Sequence, residues 1–209
     1  MRAWQDVTRR LDEDVMTWPG RRPPSVRWEK RLSEGDHSNS SVWSIEAHSG
    51  THIDAPKHFL PHGASIDQVP LGTLMGPCVL VDIRGGPGEE LTDARARALV
   101  GAPRVVVRTG FGEDGEFRPH GRLLTPAAAE LLVERGLVLI GTDRLSVDGS
   151  EGRDFTLHYS FLGRGCVIVE GLDLKQVAAG PYELCALPLL VVGAEASPAR
   201  VLMSVGRGS

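Results

Sequence analysis

The sequence is expected to form a single mixed α/β domain, and three observations carry that expectation. The chain has 209 residues, 41% hydrophobic and 24% charged, a length and balance suited to one globular unit that buries roughly 70% of its unfolded surface. Short apolar, β-branched runs alternate with helix-like stretches through most of it, the pattern of βαβ units. No internal repeat or low-complexity tract divides it, and the Pro/Gly-rich stretch 19–24 is too short to separate domains. Residues 1–209 are therefore expected to fold as one domain.

Taken in order, residues 41–48 alternate partly and suggest a half-exposed strand of a mixed sheet. The run 78–83 (CVLVDI) is a buried strand leading through a loop at 84–88 into a helix over 92–100, with Thr92 as N-cap. A second strand spans 104–108. The clearest helix spans 125–135: Thr125 can cap, Pro126 occupies the first helical position and Gly136 closes the end. Strands at 137–140, 166–169 and 184–192 complete the pattern. Trp4, Trp28 and Trp43 are expected to pack in the core.

Charge and composition exclude several roles. With 23 Lys and Arg against 27 Asp and Glu, the net charge is −4, which argues against nucleic acid as a partner, because phosphate neutralisation needs surplus cations. No apolar run approaches the ~18 residues of a membrane span, and the longest, 186–192, contains Pro188. The N-terminus carries charges where a secretory signal needs an apolar stretch. Cys78, Cys166 and Cys185 are too few and too scattered for a disulfide framework or a CxxC site. The expectation is a soluble, cytoplasmic protein.

Four of the seven histidines lie between His48 and His62. Gly50 and Thr51 are weak helix formers and Pro56 would stop a helix at Ala55, so an extended reading fits better. In a strand, His48, His52 and Asp54 share one side, with Gly50 between them leaving room for an ion or allowing a bend. Two imidazoles and a carboxylate suit Zn²⁺, with Mn²⁺ also accepted, and the lack of nearby cysteine favours an open, catalytic site over a structural one. The competing reading is a solvated loop. His58, beyond Pro56, has three candidate roles: ligand, proton shuttle or surface residue. His37, His62 and His120 are expected to be solvated. Glu170 ends the apolar run 166–169 and is either a surface residue at the strand's exit or a functional carboxylate at the sheet's edge. His158, twelve residues earlier, is either a partly buried helix histidine or a neighbour of Glu170.

The stretch His48-Ser-Gly-Thr-His52-Ile-Asp54-Ala-Pro-Lys-His58 resembles the HxGTHxDxPxH signature of the cyclase family of metal-dependent hydrolases. The likeness runs nearly end to end, through the TWPG turn at 17–20, GASIDQVPL at 63–71, VEGL at 169–172 and YELCALPL at 182–189. It implies a swivelling β/β/α type of mixed α/β domain, in dimers or larger homo-oligomers. It also implies a site with two Zn²⁺ per subunit, Mn²⁺ being an alternative. In that pattern His48, His52 and Asp54 hold one metal with Asp54 bridging, His158 joins the second, and Glu170 reaches both. His58 would be the acid/base, and Trp18 would pack on an aromatic substrate. The implied reaction is arylformamidase-like hydrolysis of N-formylkynurenine to kynurenine and formate. Hydrolysis or cyclisation of another cyclic amide or ester, such as an isatin-like lactam, is the alternative, and a non-catalytic metal-stabilised protein a third reading. One departure stands out: Asp143-Arg144-Leu145-Ser146 replaces the Asp-Thr-Pro-Ser common in formamidases, placing a permanent cation either at a substrate carboxylate or at the surface in a loop that has changed shape. Lys57 likewise stands where an apolar residue is frequent.

Overall fold

In the computed structural model, which describes residues 3–85, 90–150 and 154–205, ten strands are formed. They are β1 (Trp4–Asp6), β2 (Ser25–Lys30), β3 (Ser40–Ser44), β4 (His52–Asp54), β5 (Met75–Asp82), β6 (Arg104–Arg108), β7 (Leu139–Thr142), β8 (Val167–Glu170), β9 (Gly180–Pro188) and β10 (Ala196–Val205). The helices are α1 (Leu71–Leu74), α2 (Asp93–Ala98), α3 (Pro126–Glu134) and α4 (Thr156–Leu162). Part of the loop expected at 84–88 lies outside the described residues.

Strands β5 to β8 run parallel, and α2, α3 and α4 form their crossovers. On one side β9 pairs antiparallel with β5 and then with β10; on the other, β4 pairs antiparallel with both β8 and β10. Seven strands thus close into a barrel-like ring, and β1 adds to β10 outside it. Closure removes the unpaired edges that an open sheet would expose. Alternation along the strands then divides the core in two. Ile53, Leu80, Val106, Leu139 and Val169 belong to one cluster, while Val105, Val107, Ile140 and Ile168 pack with Leu132 of α3 and Phe161 of α4. The mixed α/β expectation is borne out.

The helix signals act as read. The Thr125 hydroxyl accepts from the Ala128 N–H at 3.0 Å with Pro126 at the first helical position, and Thr92 caps α2. Other expectations need correction. Residues 40–44 do not join the main sheet; β3 pairs with β2 in a separate hairpin. Trp28 and Trp43 on that hairpin are 45% and 69% exposed, and Trp4, on the outermost strand, is 45% exposed, so none of the three packs in the core. Strand β9 starts earlier than expected and ends at Pro188, beyond which the Leu189 N–H turns to the Ser197 hydroxyl and residues 189–192 are exposed. Strand β10 was not anticipated, because Pro198 and Arg200 interrupt its alternation.

Candidate metal centre

Strand β4 is three residues long and paired on both sides, with Ile53 turned into the core and His52 and Asp54 turned the other way. His52 stands directly opposite Glu170, the last residue of β8, so the two side chains share a face, with His52 Nε2 3.4 Å from Glu170 Oε2. His48 arrives differently from the expected continuous strand. Gly50 adopts φ +59° and bends the chain, and the Ser49 N–H closes a turn onto the Glu46 carbonyl at 3.0 Å. His48 Nδ1 thereby reaches 2.9 Å from Asp54 Oδ1. The bend is packed tightly: a Cβ on Gly171, itself at φ +67°, would fall 2.3 Å from the Gly50 carbonyl oxygen.

Helix α4 supplies His158. Its first turn is held by Asp148, which accepts the N–H groups of Leu157 and His158 at 3.0 and 3.1 Å and lies 2.7 Å from His158 Nδ1. The other ring nitrogen faces Asp54 Oδ2 and Glu170 Oε1, both at 3.7 Å. His58 sits on the 3₁₀ turn Pro56–His58, its Nε2 4.0 Å from Asp54 Oδ2 and its ring centroid 4.2 Å from that of His48. All five side chains expected as ligands, together with His58, therefore meet in one place, although they come from three separate stretches.

Each carboxylate splits its oxygens between two groups. Asp54 Oδ1 faces His48 and His52 while Oδ2 faces His158 and His58; Glu170 Oε2 faces His52 while Oε1 faces His158. Asp54 is fully buried, yet among the described residues neither oxygen receives a well-directed hydrogen bond, the 2.9 Å approach of His48 Nδ1 included, nor does His52 Nε2 have a partner. Buried polar atoms without partners are rare and costly. Separations of 3.4–3.7 Å are those of neighbouring ligands about 2.0–2.2 Å from a shared ion, so these residues fit a divalent metal.

The electrostatics of these side chains agree. Burial alone would depress the His52 imidazole, but Glu170 and Asp54 overcome it and hold it at about 9. Burial is likewise outweighed at His158, where Asp148, Asp54 and Glu170 push it up to about 10. Against its own burial, Asp54 is kept well below the usual carboxylate range by His158 and His48. At His58, burial and the neighbouring imidazoles outweigh Asp54 and push the ring down to about 4.

These groups open onto a cavity of about 420 Å³ whose walls include Trp18, Phe59 and Phe155. Phe59 lies 4.5 Å from the His158 ring and 5.2 Å from that of Phe155. Phe155 holds a left-handed φ of +43° just before α4, a strained conformation for a non-glycine residue. Trp18 is packed edge-on against Phe117 and His120, so His120 is half-buried rather than solvated; His37 and His62 are exposed as expected. Arg144 takes neither of its expected places. It is 1% exposed, absent from the cavity wall, and donates to the carbonyls of Gly121 and Arg122 at 2.9 and 3.2 Å. Lys57 points outward to the Gly193 carbonyl. Sequence reasoning missed Asp148, Phe155 and the charged pair Arg21–Glu46, which also lines the cavity. Asp148 left no local signal, because it stands outside the cap position of α4, which is held by Phe155, and reaches the first turn only through the fold.

The chain is similar to known proteins over most of its length. A family model described as "Putative cyclase" matches residues 5–149. A kynurenine formamidase of Sphingopyxis alaskensis is 37% identical over 210 residues, covering 97% of each chain. Among solved structures, one described as a potential metal-dependent hydrolase with cyclase activity superposes with a TM-score of 0.83 at 28% identity over the whole of both chains. Isatin hydrolase A from Labrenzia aggregata superposes at 0.80 with 27% identity, covering 98% of this chain and 94% of that one. With more than half its length matched by the family model, this chain belongs to the cyclase family.

Proposed function

We propose that the protein is a metal-dependent amide hydrolase of the arylformamidase kind, converting N-formylkynurenine to kynurenine and formate. The observation that carries the reading is Asp54: a fully buried carboxylate whose two oxygens receive no well-directed hydrogen bond among the described residues, each turned to a different set of imidazoles at the floor of an aromatic-walled cavity. The likeness to a kynurenine formamidase across nearly the whole chain supports the substrate.

In this reading His48, His52, Asp54, His158 and Glu170 would together hold two Zn²⁺, Mn²⁺ being the alternative ion. Bound divalent ions supply a water-derived nucleophile at neutral pH and polarise the amide carbonyl. The chain's own residues do the rest. Asp148 fixes the His158 ring and the Val147 N–H, 2.8 Å from Glu170 Oε1, fixes the glutamate. His58, partly exposed beside Asp54 and His48, accepts a proton from water and returns it to the departing aryl amine. Trp18, Phe59 and Phe155 flank the aromatic ring; such contacts add about 0.5–1.5 kcal/mol each beyond burial, enough to orient the substrate. The assembly is a homodimer or larger, acting in the cytoplasm. No helix among the described residues is long and apolar enough to cross a membrane, and the exposed tryptophans of the β2–β3 hairpin supply a surface for a second copy.

Opening of an isatin-like lactam is the second reading, favoured by the structural likeness to isatin hydrolase A. Turnover of N-formylkynurenine and isatin by the metal-loaded protein separates the two. Faster release of formate supports the first; ring opening with negligible formamide turnover replaces it with the second.

A further inference from the structure

One charged pair in the cavity has no part in the ligand set: Arg21 Nη1 lies 3.6 Å from Glu46 Oε2. Its position follows from two turns. Residues 18–21 form a turn with Pro19 second, Gly20 third at φ +85°, and the Arg21 N–H donating to the Trp18 carbonyl at 2.9 Å. Proline at the second position and a positive φ at the third are what a type II turn requires. The turn that begins at Glu46 delivers His48. The pair therefore links the segment carrying the Trp18 ring to the segment carrying a metal-ligand candidate.

Both side chains remain substantially open to solvent, at 66% and 37% exposure. A pair so exposed contributes little to stability, and an incoming ligand can replace either partner. Arg21 is also the only arginine or lysine among the described residues of the cavity wall. With Arg144 buried on backbone carbonyls, recognition of a substrate carboxylate falls, among the described residues, to Arg21. A neutral aryl amide or lactam makes no use of a cation and an anion side by side. A zwitterionic α-amino acid group uses both: its carboxylate matches the guanidinium fork, and its ammonium matches a carboxylate.

We propose that Arg21 and Glu46 form a subsite for the zwitterionic α-amino acid tail of the aromatic substrate, Arg21 taking the carboxylate and Glu46 the ammonium. The inference rests on the amide-hydrolase reading and adds a determinant that selects tailed aryl formamides over tail-less amides and lactams.

The test compares N-formylkynurenine with formanilide, which carries the same aryl formamide without the tail. Steady-state kinetics of the metal-loaded parent, Arg21→Met and Glu46→Gln give the ratio of kcat/KM for the two substrates. Loss of one charge-assisted hydrogen bond is expected to lower that ratio by about tenfold to a hundredfold, mainly through KM for the tailed substrate. Kynurenine binding, measured by calorimetry, should weaken by a similar factor. A double variant, Arg21→Glu with Glu46→Arg, restores the ion pair in reverse and should leave the ratio low. Ratios within about twofold of the parent in both single variants, or recovery in the reversed pair, overturn the subsite and leave the pair a strut. If formanilide is hydrolysed and the ratio does not move, the subsite alone fails. If the parent hydrolyses neither formamide, the amide-hydrolase reading fails and takes the subsite with it.

Discussion

Asp148 Oδ2 lies 2.7 Å from His158 Nδ1, and the same carboxylate accepts the N–H groups of Leu157 and His158 at the start of α4. One side chain thus caps the helix and fixes which nitrogen of His158 faces Asp54 and Glu170. Partners that orient a metal-binding histidine typically contribute about tenfold to a hundredfold in metal affinity. Asp148→Ala is expected to weaken Zn²⁺ binding by that factor, measured by competition with a chromophoric chelator. Parent-like affinity would remove Asp148 from the positioning role.

His58 and the buried ligands should separate cleanly. His52→Ala or Asp54→Ala removes a group whose atoms lie at the centre of the cluster and is expected to abolish both metal uptake and hydrolysis. His58→Ala should keep the metal and lose about 10²–10⁴ in kcat, the usual contribution of a positioned acid/base. Metal content and turnover measured on the same preparations check this; loss of metal from the His58 variant would make it a ligand instead.

The metal-free fold carries a pH signature. His52 and His158 are raised in the folded state to about 9 and about 10 from an ordinary 6.5. A raised histidine stabilises fully below its unfolded value and loses that contribution as pH climbs through the folded one. The melting temperature of chelator-treated protein is therefore expected to fall between pH 6.5 and 10. Asp54, held low, acts in the opposite direction, its contribution disappearing only as pH drops through the acid range. A flat or rising melting temperature across the alkaline window would contradict the assignment.

The β2–β3 hairpin presents Val26, Trp28 and Trp43 on one face, Val26 standing opposite Trp43 in the pairing register. A two-stranded ribbon is marginal by itself in water, so a second copy is expected to cover it. Trp28→Ser with Trp43→Ser should lower the mass seen in sedimentation equilibrium to that of one chain. An unchanged mass would place the interface elsewhere, and a monomeric parent would end the oligomer proposal.

Much of this arrangement was legible in the chain. The parity of His48, His52 and Asp54 pointed to one cluster, and Thr92 and Thr125 marked their helices. What stayed hidden depends on long-range contacts. The bend at Gly50 packs closely against Gly171, 121 positions away, and local spacing read the segment as a straight strand. Local pattern left Glu170 undecided, since only its pairing with His52 across β4 and β8 turns it inward. Arg144 suggested a pocket or a surface because burial of a guanidinium against backbone carbonyls leaves no local mark. The ring closure through β10 and the exposure of the tryptophans are likewise properties of assembly that composition does not carry.

The central claim is that ions sit among His48, His52, Asp54, His158 and Glu170. Anomalous diffraction at the zinc edge, from crystals grown with Zn²⁺, tests it most directly. Peaks are expected about 2.0–2.2 Å from the ring nitrogens and from the oxygens of Asp54 and Glu170. An anomalous map with no peak within bonding reach of those side chains would contradict the account.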